Sequence, residues 1–175
     1  YIGQSTDYNF ETFPVIHFNF AKLESRLDNL EAELINQIEI YAEKFQVETQ
    51  KISLSTRFYS LIKSIAEKGK PVVILIDEYD KPILDAINQP DVARENRDFL
   101  RGFYGTIKDY DAHIKFSFLT GVSKFSKVSL FSGLNNLYDM TLDPQYSTIC
   151  GYTDHDIDTA GTHHRIDELQ PHNKG

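Results

Sequence analysis

The spacing of apolar side chains divides the chain into short continuous runs and long helical stripes. Phe13 to Phe20, FPVIHFNF, gathers aromatic and β-branched residues behind a proline, the pattern of a short buried strand. His17 within it reads as a packed core histidine. From Leu23 the pattern changes: Leu23, Leu27, Leu30, Leu34, Ile38, Tyr41 and Phe45 recur at steps of three and four, laying one apolar stripe along a helix. A second stripe, Leu54, Phe58, Leu61, Ile62 and Ile65, is stopped by Gly69 and Pro71, since glycine accepts a left-handed cap and proline cannot continue a helix. Then comes Pro71 to Pro82, PVVILIDEYDKP. Val72 to Ile76 shows no polar alternation, as expected for a strand covered on both faces inside a parallel sheet, and it runs straight into Asp77 and Glu78.

Beyond this strand, Asp91 is placed to cap a helix that turns Val92, Phe99, Phe103 and Ile107 inward and carries Arg94, Arg97 and Arg101 on another face. Ile114 to Leu119, IKFSFL, is another buried-strand segment, ending at Thr120 and Gly121. Leu137 to Leu142, LYDMTL, alternates as a fourth strand would, and Thr153 with Asp156 resembles a capping box. Strands separated by helical segments predict an α/β fold with a mostly parallel sheet. In such sheets ligands bind beyond the carboxyl ends of the strands, the edge where both the acid pair and Thr120 fall.

Composition narrows the partners. With 175 residues, 41% of them hydrophobic, the chain can bury one core, and a net charge of −8 with pI near 5.2 argues against a surface built for phosphate backbones. Nucleic acid is unsupported. A lone cysteine, Cys150, forms no internal disulfide, which fits a reducing, cytoplasmic setting. No apolar run is long enough to span a membrane. The only methionine is Met140, so the reading frame is expected to start further upstream or to have been processed.

A hydrophobic strand ending in Asp-Glu is the Walker B pattern. Its chemistry assigns Asp77 to Mg²⁺ beside nucleotide phosphates and Glu78 to orienting or deprotonating the attacking water. The blocks VILIDEYDKPI, LTGVSKFSKVSLFSGLNNL and MTLDPQYSTICGYT, taken together, resemble the predicted AAA-ATPase-like family of bacterial and archaeal proteins, from about Tyr1 to Asp158. The resemblance implies a three-layer α/β domain of the P-loop ATPase type with strand order 5-1-4-3-2, in which Val15–Phe20, Val72–Asp77, Ile114–Leu119 and Leu137–Leu142 are strands 2 to 5. It implies Mg²⁺ and ATP as ligands, Thr120 as the sensor of the γ-phosphate, and Ser123 and Lys124, with Lys127, as further phosphate-facing candidates. Yet no G-x-x-x-x-G-K-[ST] loop occurs; the only Gly-Lys pair, Gly69-Lys70, precedes a proline and the wrong strand. The domain is therefore expected to be incomplete, lacking strand 1 and the phosphate-binding loop, and inactive alone.

Other readings compete. Relatives often carry a nuclease-like domain of the PD-(D/E)XK type, but no lysine here has an acid two residues before it. His155, Asp156, Asp158, His163 and His164 match no rigid metal spacing, and the polar tail from residue 159 is expected to be loose, leaving residues 1–158 as the partial ATPase domain. The non-enzymatic alternative is an α/β interaction or regulatory module that binds a protein partner through exposed strand edges or the arginine face.

Overall fold

A computed structural model of the chain describes residues 10–23, 26–122, 130–131, 137–147 and 149. The chain divides into two compact units, Tyr1–Asn136 and Leu137–Gly175. In the first, β1 (Val15–Asn19), β2 (Val72–Asp77) and β3 (Ile114–Leu119) form a parallel sheet in the order β1-β2-β3. This is an α/β fold, and the adjacency of the three strands matches the expected 2-3-4 segment. The register sets Ile16 beside Ile74, Phe18 beside Ile76, and Ile76 beside Leu119.

Among the described residues four helices connect and cover the strands: α1 (Leu27–Phe45), α2 (Leu54–Ala66), the short α3 (Lys81–Asp85) and α4 (Pro90–Asp109). The first begins a turn later than the apolar stripe suggests. Asn19 accepts the N–H of Ala21 at 2.9 Å and caps a 3₁₀ turn over Phe20–Lys22, which takes Leu23 out of helical register. Ser53 starts α2 by accepting the N–H of Thr56, and the chain leaves that helix through Gly69, whose φ of 120° suits glycine. Helix α3 was not foreseen.

The core lies on one face of the sheet. Ile16, Phe18, Ile74 and Ile76 are buried with Leu30, Leu34 and Ile38 of α1, Phe58, Leu61 and Ile62 of α2, and Leu100, Phe103, Tyr104 and Ile107 of α4. The Phe18 ring meets Phe58 and Phe103 edge-on, each at 5.3 Å between centroids, a favoured aromatic geometry. Helix α4 is rotated from the expected stripe: Asn96 and Leu100 are buried while Val92 and Phe99 are half-buried. Asn96 fixes that rotation by donating its Nδ2–H to the carbonyl of Pro82 at 2.8 Å, inside the core.

The opposite face is more open. Val15, Val73 and Phe116 share it, with His17, Leu75 and Phe118 two residues on, because register partners in a parallel sheet point the same way. Val15 is 36% exposed and Phe116 55%. Strand β2 is thus not covered equally on both sides: Val73 and Leu75 are half-buried, and the described helices pack on the Ile74 face. On the outer edge of β1, the Tyr41 hydroxyl donates to the carbonyl of His17 at 3.0 Å and receives its N–H at 2.8 Å, so an α1 side chain occupies the edge.

The expected strand over Leu137–Leu142 does not form. In this second unit Asp139 Oδ1 accepts the N–H of Thr141 at 3.0 Å and the N–H of Asp143 bonds to Met140 at 3.2 Å, so local turns take the backbone groups a ladder would need. Asp143 then caps a 3₁₀ turn, Pro144–Tyr146, by accepting the N–H of Gln145 at 2.9 Å. The Tyr138 hydroxyl also donates to Asp143, which holds that carboxyl below its usual range. Thr153, Asp156, Cys150 and the histidine-rich tail lie outside the described residues.

Candidate functional site

The end of β2 is not a simple strand terminus. In a regular parallel ladder the N–H and C=O of one residue bond to positions two apart on the neighbouring strand. Here the N–H of Thr120 bonds to Ile76 (2.8 Å), whereas its carbonyl receives the N–H of Tyr79 (2.9 Å), three positions on. One extra residue is accommodated, as in a bulge, and Glu78 takes a left-handed φ of 53°. A non-glycine residue there costs about 1–2 kcal/mol and persists only where its surroundings enforce it.

The surroundings do enforce it. The buried Tyr104 hydroxyl of α4 donates to the carbonyl of Tyr79 at 2.9 Å, while Asn96 holds Pro82. Burial, then the charges of Asp80 and Tyr79, push the Tyr104 phenol well above its ordinary pKa. The turn from Asp77 to Pro82 is therefore held by β3 on one side and α4 on the other.

Asp77 and Thr120, 43 residues apart in sequence, meet at this tip: the Thr120 hydroxyl donates to Asp77 Oδ1 at 2.5 Å. Both are partly buried, and Glu78, half-exposed, follows directly. A threonine hydroxyl has one proton. While it goes to Asp77, Thr120 can offer a water or phosphate oxygen only a lone pair, so in this arrangement it orients the carboxylate.

Three further residues complete the tip, and the sequence reading gives none of them a role there. Asp80 is fully buried and its Oδ1 accepts the N–H of Val122 at 3.3 Å. Tyr79 and Gly121 are in close apposition: a Cβ on Gly121 would stand 2.5 Å from a Tyr79 ring carbon and 2.7 Å from Asp80 Oδ1. Position 121 therefore requires glycine on grounds of space. The available signal was the third acid of IDEYD, which follows an aromatic residue instead of opening into polar sequence.

Ser123, Lys124 and Lys127 lie outside the described residues. The arginines of α4 pair with acids of their own helix, Arg94 with Asp91 (3.2 Å), Arg97 with Asp98 (2.9 Å) and Arg101 with Asp98 (3.9 Å). That is the arrangement of a solvated helix face. Among the described residues no group of three or more His, Cys, Asp or Glu side chains could enclose a metal. A single strand-tip carboxylate with a hydroxyl beside it does fit Mg²⁺, which keeps several waters and takes few protein oxygens beside phosphate.

The fold and the tip define an α/β protein whose parallel strands present acids and a threonine at the carboxyl edge. Residues 1–131 match the family described as "Predicted AAA-ATPase", and the chain belongs to that family. It is similar to an uncharacterized protein in the vnfD 5' region of Azotobacter chroococcum mcd 1, at 47% identity over 149 residues, covering 84% of this chain and 29% of that protein. The chain thus spans less than a third of the length of that relative. No solved structure matches it. No described helix is long and apolar enough to cross a membrane.

Proposed function

We propose that this chain carries the strand-tip half of an ATP-hydrolysing site: the Walker B acids Asp77 and Glu78, and Thr120 as the hydroxyl that holds Asp77 in place. The observation that carries the reading is the hydrogen bond from Thr120 to Asp77, which joins the tips of two neighbouring parallel strands at the edge where such sheets bind ligands. Membership of the predicted AAA-ATPase family supports it.

In this reading Asp77 holds Mg²⁺ through an oxygen and Thr120 keeps that carboxylate in place. When bound, Mg²⁺ neutralises charge developing on the β- and γ-phosphate oxygens. Glu78 accepts a proton from the attacking water as the new P–O bond forms and the β–γ bridge breaks, releasing ADP and phosphate. The phosphate-binding loop, which this sequence lacks, comes from residues outside these 175, and hydrolysis requires the longer protein. The unpaired outer side of β3 among the described residues is where a further strand would add.

The test uses the full-length protein. Glu78→Gln should retain Mg²⁺-dependent ATP binding and lose turnover by about 10²-fold or more, the scale of removing a general base. Unchanged turnover would remove Glu78 from the chemistry, and no Mg²⁺-dependent nucleotide binding by the wild type would remove the ATPase reading altogether.

A further inference from the structure

Asp80 is a fully buried carboxylate that the proposed chemistry does not use. It stands at the start of α3, where an aspartate would ordinarily accept a helix N–H, yet its side chain makes no cap there. Its Oδ1 accepts instead the N–H of Val122, beyond the end of β3. Burying a carboxylate is unfavourable unless polar groups meet it, so its retention here has a structural consequence. That consequence falls on the β3 tip. Thr120 is tied at its own backbone to Ile76 and Tyr79, Val122 is tied to Asp80 by the hydrogen bond, and Gly121 between them lies so near Tyr79 and Asp80 that no side chain fits there. The segment that delivers the Thr120 hydroxyl to Asp77 is thus secured on both sides.

We infer that Asp80 is a positioning residue, whose carboxylate clamps the Gly121–Val122 peptide and so keeps Thr120 on Asp77. On this reading it acts through Thr120. The effect on turnover rests on the ATPase reading above; the clamp itself is a property of the fold. A hydrogen bond to an ionised acceptor is stronger than one to a neutral acceptor, but the essential element is an oxygen at that point, because an apolar replacement takes the acceptor away from the part-buried Val122 N–H.

The experiment is made on the full-length protein with three variants, reading hydrogen exchange at the Val122 amide and steady-state ATP turnover. Asp80→Ala should raise exchange at Val122 by about tenfold or more and lower kcat by about tenfold, with KM for ATP changed less than about threefold, the scale of one lost hydrogen bond. Asp80→Asn, which keeps an acceptor oxygen, should return both to within about threefold of wild type. Gly121→Ala should reproduce the Asp80→Ala behaviour with the carboxylate intact, because its methyl displaces the tip. Should Asp80→Ala not fold, Asp80→Asn and Gly121→Ala decide. Wild-type exchange at Val122 in a folded Asp80→Ala or Gly121→Ala protein overturns the clamp. So does a folded Asp80→Asn protein that fails to recover, or a variant whose KM rises while kcat stays. Wild-type protein without ATP turnover, but with the expected exchange pattern, upholds the clamp and overturns the ATPase reading instead.

Discussion

The left-handed backbone at Glu78 makes a quantitative claim about stability that is independent of nucleotide. A residue with a Cβ in that region carries about 1–2 kcal/mol of steric cost. Glycine does not, but loses roughly 0.5–1 kcal/mol more conformational entropy on folding. Glu78→Gly should therefore equal or exceed wild type in stability by up to about 1 kcal/mol, while Glu78→Ala keeps the strain and falls about 1 kcal/mol below the glycine variant. A control fixes the sign. Gly102 lies in α4 with nothing within 4 Å of a built Cβ, so Gly102→Ala should stabilise by about 1 kcal/mol, the helix-interior difference. Glycine should thus be the better residue at 78 and alanine at 102. Urea unfolding at equilibrium measures both, and with a slope of about 2 kcal/mol/M each difference moves the midpoint by about 0.5 M. If alanine exceeds glycine at 78 while the control behaves as stated, the backbone there is not left-handed and the bulged geometry of the tip is wrong.

Other outcomes follow from the same geometry. Phe18→Ala removes the ring on which α2 and α4 converge and should cost about 3–5 kcal/mol, seen as a large drop in the urea midpoint. Because burial raises the Tyr104 pKa above 10.0, its stabilising contribution is fully present below that pH and declines as the unfolded chain ionises above it. Tyr104→Phe should therefore unfold less steeply with alkali, while losing about 1–2 kcal/mol near neutrality with the hydrogen bond to the Tyr79 carbonyl. In the full-length protein, Thr120→Val should lower ATP turnover about tenfold, and Thr120→Ser should recover most of it. A valine variant with wild-type turnover would show that the hydroxyl on Asp77 is not used.

Strands β1 to β3 and helices α1 and α2 are legible in the sequence, because each is announced by its own apolar spacing. Of the expected α4 stripe Phe103 and Ile107 are buried, whereas Val92 and Phe99 are turned partly out because Asn96 reaches Pro82, a polar contact that hydrophobic periodicity does not register. Leu137–Leu142 shows the opposite failure: alternation alone promised a strand, but Asp139 and Asp143 use their side chains to satisfy the backbone locally. The acid pair and Thr120 were recognisable as polar residues ending apolar runs. That they touch was not visible in either run.

What the sequence determined by itself is local: which segments are extended, which are helical, and that acids end a buried strand. Tertiary structure decided how those ends combine. The extra residue at the tip, the left-handed Glu78 and the reach of Thr120 to an aspartate 43 positions away arise from parallel strand register, and register depends on packing between distant segments. The same holds for Asp80: a third acid in the sequence becomes a buried clamp only when α4 and the end of β3 close around it.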